Sequence, residues 1–291
     1  MRYKLYLLHI GDLEDESLQD TAMALIDEYR QELVHKKKIA KDRMLAIAAG
    51  LLLQVGFLEL EPDEQYCKRI ELLSEEQPGQ GVGAELSPEE QPGQLNRTEI
   101  LAKRQPGQGI GTGSTSEGHS QQETGMCFQM KAKTLVQYLQ ESSNRYREAG
   151  FSVNSNFTDH AGIKQLSFPL PLIYTTGSQG KPYWDREALY SLFPQKKLWY
   201  FNVSHSGEYV ALAIADREVG VDIQEPRKAE RIPGGYRGFS RLESYVKCTG
   251  AGYAYGHREY ENAGGNVAGY QIQALDLIAD YALYVCMAED S

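Results

Sequence analysis

At 291 residues, the chain has the length of one large domain or of two of roughly 100–150 residues each. Its 41% hydrophobic and 24% charged residues suit a globular protein with a sizeable core. With 30 basic against 40 acidic side chains, the net charge of −10 argues against a general nucleic-acid binder, which needs a basic surface to neutralise phosphates. A local basic pocket for one phosphorylated ligand remains compatible with it.

Residues 2–10 (RYKLYLLHI) read as a strand. Ser17-x-x-Asp20 approximates a capping box, and Leu18, Ala22, Leu25, Ile26, Tyr29 and Leu33 follow at helical spacing. The basic run His35-Lys36-Lys37-Lys38 leads into a second helix over 39–57, nearly all apolar after Arg43 and so buried. From Ser74 the composition turns to Gly, Pro, Gln, Glu and Ser, with QPGQ beginning at Gln77, Gln91 and Gln105. Three short copies without an apolar face cannot build a solenoid, and they bury too little to offset chain entropy. The expectation is a disordered insertion over 74–126. Its GQGIGTG run (107–113) lacks the spacing and preceding strand of a phosphate loop.

A helix is expected near Lys131–Glu148, then a loop at GSQGKPYW (177–184). The second half reads as strands at 198–204, 208–215 and 219–223, a short helix at 240–248, and a closing hairpin from 269–277 and 281–288. Strands and helices come in runs rather than in strict alternation, so the fold class is α+β with antiparallel pairing. Cys67, Cys127, Cys248 and Cys286 lie far apart without Cys-x-x-Cys spacing and read as reduced thiols. The N-terminus is too charged for a signal peptide, and no run approaches the ~20 apolar residues of a membrane span. A cytoplasmic protein without membrane association is the expectation.

Several residues invite chemistry. In Val219-Gly220-Val221-Asp222-Ile223-Gln224, period-2 alternation sends the β-branched residues to a core face and Asp222 with Gln224 to the other. Two oxygen-bearing side chains there suit a hard cation such as Mg2+, or simply a solvated strand face. Ser240-x-x-Glu243 has the form of a capping box, and Glu243 with Lys247 that of an i,i+4 ion pair. The same helix could instead offer an acid to a metal or proton and a cation to a phosphate. The turn Ser204-His205-Ser206 sets hydroxyl beside imidazole, but neighbours on an extended chain face opposite ways and no GxSxG elbow is present. A serine hydrolase is therefore disfavoured, whereas a phosphate contact or a plain structural turn both fit. Lys181 places a cation on the 177–184 loop, or is an ordinary surface lysine.

In this order the motifs resemble the 4′-phosphopantetheinyl transferases of the surfactin-synthetase-activating type. The matching residues are Gly180-Lys181-Pro182, Asn202 through Gly207 (NVSHSG), Val219 through Asp222 (VGVD), and Phe239 through Lys247. The helix around Arg43 and the closing strand YALYVCMA are also similar. The resemblance covers 174–291 well and 1–60 loosely; it leaves out about 74–170. It implies a pseudo-dimer of two similar α+β halves, 1–73 with 127–196 and then 197–291, enclosing coenzyme A in a cleft. It implies Mg2+ on Asp222, Glu243 and Gln224, and coenzyme A on Arg43, Lys181, Pro182, Ser204, His205, Glu243 and Lys247. Ser204 and His205 would grip the 3′-phosphate, and Glu243 would take the proton of the acceptor serine, with Asp222 and Lys247 completing the catalytic set. The partner implied is an apo acyl or peptidyl carrier protein of fatty-acid, polyketide or nonribosomal-peptide synthesis, served by a monomer. Two departures stand out: Leu242 replaces the family's lysine, and Gln224 a frequent glutamate. They favour the alternative of a non-catalytic, coenzyme A-binding regulatory homologue.

Overall fold

The computed structural model describes residues 2–60, 101–102, 124–148, 168–194, 196–226 and 234–289. Its elements are β1 (Arg2–His9), a 3-10 turn (Gly11–Glu14), α1 (Glu16–Met23), α2 (Glu28–His35), α3 (Ala40–Leu58), β2 (Leu101–Ala102), β3 (Thr124–Lys131) and α4 (Ala132–Glu148). There follow β4 (Tyr174–Thr176), β5 (Pro182–Trp184), α5 (Arg186–Leu192), β6 (Tyr200–Ser206), β7 (Tyr209–Ala215) and β8 (Val219–Gln224). α6 (Gly235–Thr249), α7 (Tyr253–Asn262), β9 (Tyr270–Ala274) and β10 (Ala282–Ala288) end the chain. The class is α+β. The expected insertion lies outside the described residues apart from β2 and the first residues of β3, which pairs with β1 from Thr124 onward.

One sheet runs β2-β3-β1-β7-β6, a second β8-β10-β9, and β4 with β5 forms a two-stranded ribbon. β1 pairs with β3 in parallel and with β7 antiparallel, so pairing is mixed where the sequence suggested antiparallel strands alone. The parallel step follows from the helical crossover between β1 and β3. β6 and β7 share a sheet with β1, and sheet membership changes at Val219.

β1 is buried on both faces. Tyr6, Leu8 and Ile10 join Leu212, Ile214 and the apolar α3 in one core, whereas Leu5 and Leu7 meet Ala211, Ala213, Val219, Val221 and Ile223 in the other. The alanines of β7 lie on the side toward β8, where small side chains let the two sheets approach closely. Gly56 serves the same end under α3, because a Cβ there would run into Leu212 and Ile214. No helix among the described residues is long and apolar enough to cross a membrane.

Helix boundaries correct the sequence reading in three places. Asp15, not Ser17, caps α1, its Oδ1 accepting the Ser17 and Leu18 N–H groups at 2.9 and 3.4 Å. The expected single helix over 17–33 breaks between Met23 and Glu28, where buried Asp27 caps α2 through the Arg30 N–H and accepts the Tyr174 hydroxyl. α6 opens at Gly235 rather than Ser240, so Ser240 lies inside the helix and is no cap.

Candidate functional site

β6 and β8 belong to different sheets, and side chains join them. Alternate residues of β6 point to β8: Asn202 Oδ1 accepts the Val221 N–H at 2.9 Å, Ser204 Oγ that of Ile223 at 3.3 Å, and Ser206 Oγ that of Glu225 at 3.0 Å. This rail satisfies buried amides that a neighbouring strand would otherwise pair. Ser206 still belongs to β6, so the turn is Gly207-Glu208 and not the expected Ser204-His205-Ser206. Gly207 has φ 57°, a left-handed conformation that glycine adopts without strain.

α6 covers the opposite face of β8. A Cβ on Gly220 would collide with Ser244 O and Cys248 N, so only glycine lets the helix backbone rest there. Ser240 Oγ donates to Asp222 O at 3.1 Å, fixing the helix along the strand. Asp222 is thereby enclosed, 4% exposed. Its Oδ1 accepts the Ser204 hydroxyl at 2.9 Å and the Lys247 ammonium at 2.5 Å, and Lys247 Nζ also donates to Ser204 Oγ at 2.9 Å. Oδ2 is buried without a hydrogen-bond partner among the described residues. Lys247 thus turns to Asp222 and not to its i,i+4 neighbour Glu243.

Glu243 is half-buried on the same helix. Burial pushes its carboxyl up from the ordinary value, Lys247 pulls it down, and the charge of Asp222 pushes it up again. His205 lies on the face of β6 away from Ser204 and reaches solvent. Desolvation of part of the ring pushes its imidazole down, and Lys247 and Lys37 push it further, against Asp42 and Asp222. Lys37 comes from the corner between α2 and α3, which Arg43 braces by donating to Lys38 O at 3.2 Å. The charges that bear on His205 therefore come from both ends of the chain.

Lys181 requires a correction. It is no surface lysine on an open loop but 7% exposed, immediately before the β4–β5 ribbon's second strand. Its Nζ donates to Glu218 Oε2 at 2.6 Å, Val219 O at 3.2 Å and Cys248 O at 2.8 Å, which uses all three hydrogens. As placed, it clamps the C-terminus of α6 to the start of β8 and has no donor left for a phosphate. Pro182 opens β5 opposite Thr176. Gln224 ends β8 opposite Ala282, half-buried, and its amide has no hydrogen-bond partner among the described residues. Leu242 is 6% exposed and packs with Tyr245, Val246 and Cys286, so it is a core residue.

Among the described residues no three His, Cys, Asp or Glu side chains form a ready metal site. The donors at hand are the orphaned Asp222 Oδ2, the Glu243 carboxylate and the Gln224 amide, an oxygen-only set that fits a hard cation keeping several waters. Two cavities, about 570 Å3 between α1 and α4 and about 380 Å3 beside α2 and β4, are lined by none of these residues. Sequence reasoning missed Asn202 and Ser206 as a rail and Glu218 as the partner of Lys181. The signal for the rail was available: three short polar residues, Asn202, Ser204 and Ser206, at period 2 along one strand.

No protein-family model matches this chain, and no curated protein matches it.

Proposed function

We propose that the chain transfers the 4′-phosphopantetheine group of coenzyme A to a serine of an apo carrier protein, with release of 3′,5′-ADP. One observation carries this reading: a buried carboxylate, Asp222, has one oxygen unpartnered among the described residues and the other on the Lys247 ammonium, with the Glu243 carboxyl close enough to feel both charges. Such a pairing of acids and cations suits a ligand that is itself a metal–phosphate complex. Mg2+ bound by Asp222, Glu243 and Gln224 would supply Lewis-acid polarisation of the diphosphate. Lys247 has one hydrogen beyond its two bonds and a side chain 27% exposed, so it can reach a phosphate oxygen while holding Asp222. Glu243, with its raised carboxyl, takes the proton as the serine oxygen attacks the β-phosphorus. The bond from that phosphorus to the bridging oxygen breaks, and the oxygen leaves with the electron pair on 3′,5′-ADP. The proposal includes a monomer in the cytoplasm, two similar halves, and an acyl or peptidyl carrier as partner.

A second reading, a coenzyme A-binding homologue without transfer activity, is favoured by Lys181 with its donors taken and by Leu242 in the core. Incubation with coenzyme A, Mg2+ and an apo carrier separates the two. Transfer predicts a carrier heavier by one phosphopantetheine in the mass spectrum; coenzyme A binding with an unchanged carrier mass supports the second reading.

A further inference from the structure

We propose that Ser204 is a positioning residue for Asp222: it pins Oδ1 so that Oδ2 is presented to a divalent cation. The inference rests on the metal site of the reading above but assigns Ser204 a task other than gripping phosphate. A hydroxyl has one hydrogen and two lone pairs. Ser204 gives the hydrogen to Asp222 Oδ1 and takes hydrogens from Lys247 Nζ and the Ile223 N–H. Nothing is left for a phosphate oxygen, and at 4% exposure the hydroxyl faces inward.

The carboxylate it holds is lopsided. Both donors, from β6 and from α6, meet Oδ1, and among the described residues Oδ2 has none although it is buried. A buried acceptor without a partner costs free energy unless a ligand fills it. The two donors are not equivalent. Lys247 sits on a flexible stem and could follow the carboxylate if it turned about its Cβ–Cγ bond. Ser204 is set by a strand, with one rotor, and cannot follow. It therefore fixes which oxygen stays free, as an outer partner commonly fixes a metal ligand. Ser206 provides an internal comparison: it makes the same kind of rail bond, accepting from the Glu225 N–H, while the hydrogen bonds of the Asp222 carboxylate among the described residues go to Ser204 and Lys247.

The test uses the full chain with Mn2+ as probe, its binding followed by titration calorimetry and by the loss of the free-ion electron spin resonance signal. Ser204→Ala is expected to weaken Mn2+ binding about ten-fold or more, whereas Ser206→Ala leaves it unchanged even where it lowers the melting temperature equally. Should Ser204→Ala not fold, Ser204→Cys carries the comparison, since a thiol keeps the volume but donates weakly; it is expected to lose affinity in the same direction. Equal losses for Ser204 and Ser206 variants, or none for Ser204, overturn the positioning role. Absence of Mn2+ binding by the wild-type chain overturns both the role and the metal site. Mn2+ binding that depends on Ser204 in a chain that leaves the carrier unmodified supports the role and overturns transfer alone.

Discussion

Lys181 with Glu218 and Lys247 with Asp222 are both ion pairs wedged between the β8 region and α6, yet they are built inside out relative to each other. In the first, the cation side chain is 5% exposed and the acid 35%; in the second, the acid is 6% exposed and the cation 27%. Lys181 spends every hydrogen on Glu218 and two backbone carbonyls. Among the described residues Asp222 keeps a buried oxygen without a partner, and Lys247 keeps a hydrogen. The first pair is closed and can only hold the fold together. The second is open at both partners, and on the function proposed above those openings would meet a ligand that brings its own positive and negative charges.

The harshest way to break the comparison is to lift α6 from β8, since both pairs depend on that seam. Gly220→Ala places a methyl group against backbone atoms of Ser244 and Cys248, which cannot rotate away. The expected outcome is loss of a cooperative melting transition or of soluble protein, an effect above about 4 kcal/mol. A melting temperature within a few degrees of wild type would show that the helix does not rest on Gly220.

Next in size is Lys181→Met, which removes the buried cation and strands two carbonyls and Glu218. A loss of about 3 kcal/mol in urea unfolding is expected, the same with and without divalent cation. Asp222→Asn should cost less, about 1–2 kcal/mol, because the Lys247 head can turn to water and the amide keeps the shape. The stabilisation that Mn2+ gives the wild-type chain in a melting experiment should vanish in Asp222→Asn and persist in Lys181→Met. If Asp222→Asn proves the more destabilising and Mn2+ still protects it, the open pair is structural too.

How much of this was legible in the sequence differs between the two pairs. The alternation in VGVDIQ placed Asp222 opposite the β-branched core face, and the structure agrees: Val219, Val221 and Ile223 enter the core between the sheets. Periodicity also located α3, α4 and the closing hairpin to within a few residues. It could not foresee that α6 covers the Asp222 face, because that is set by a glycine contact between elements rather than by spacing along one. Nor could it see Lys181 as buried. A lysine in a Gly-rich loop looks solvated until Glu218, Val219 and Cys248 are brought to it by tertiary folding, and Glu218 is 37 residues away. The capping-box reading of Ser240 failed for a related reason: the helix begins five residues earlier, where glycines at 234 and 235 adopt left-handed conformations that no capping pattern marks.

The smallest expected effect, and the one that sharpens the ligand side of the comparison, is the pH dependence carried by His205. Its imidazole is pushed down in the folded chain, by desolvation first and then by Lys247 and Lys37. As pH falls through the ordinary histidine value of about 6.5, the unfolded chain therefore takes up a proton that the folded chain refuses. The unfolded state then binds more protons, so stability falls with falling pH until the lowered folded value is reached, and is level below it. Above the ordinary value the imidazole is neutral in both states and contributes no slope. Glu243 acts in the opposite sense: its carboxyl is raised, so folding gains stability as pH falls through the raised value toward the ordinary 4.5. The two are separated by substitution, His205→Asn removing the first slope and Glu243→Gln the second. Adding 3′,5′-ADP should weaken the His205 slope, because a phosphate beside Lys37 and Lys247 offsets the charges that help to hold the imidazole neutral. Urea unfolding at a series of pH values, with and without the nucleotide, reads this directly. A slope that the nucleotide leaves unchanged would mean that no anion settles among His205, Lys37 and Lys247.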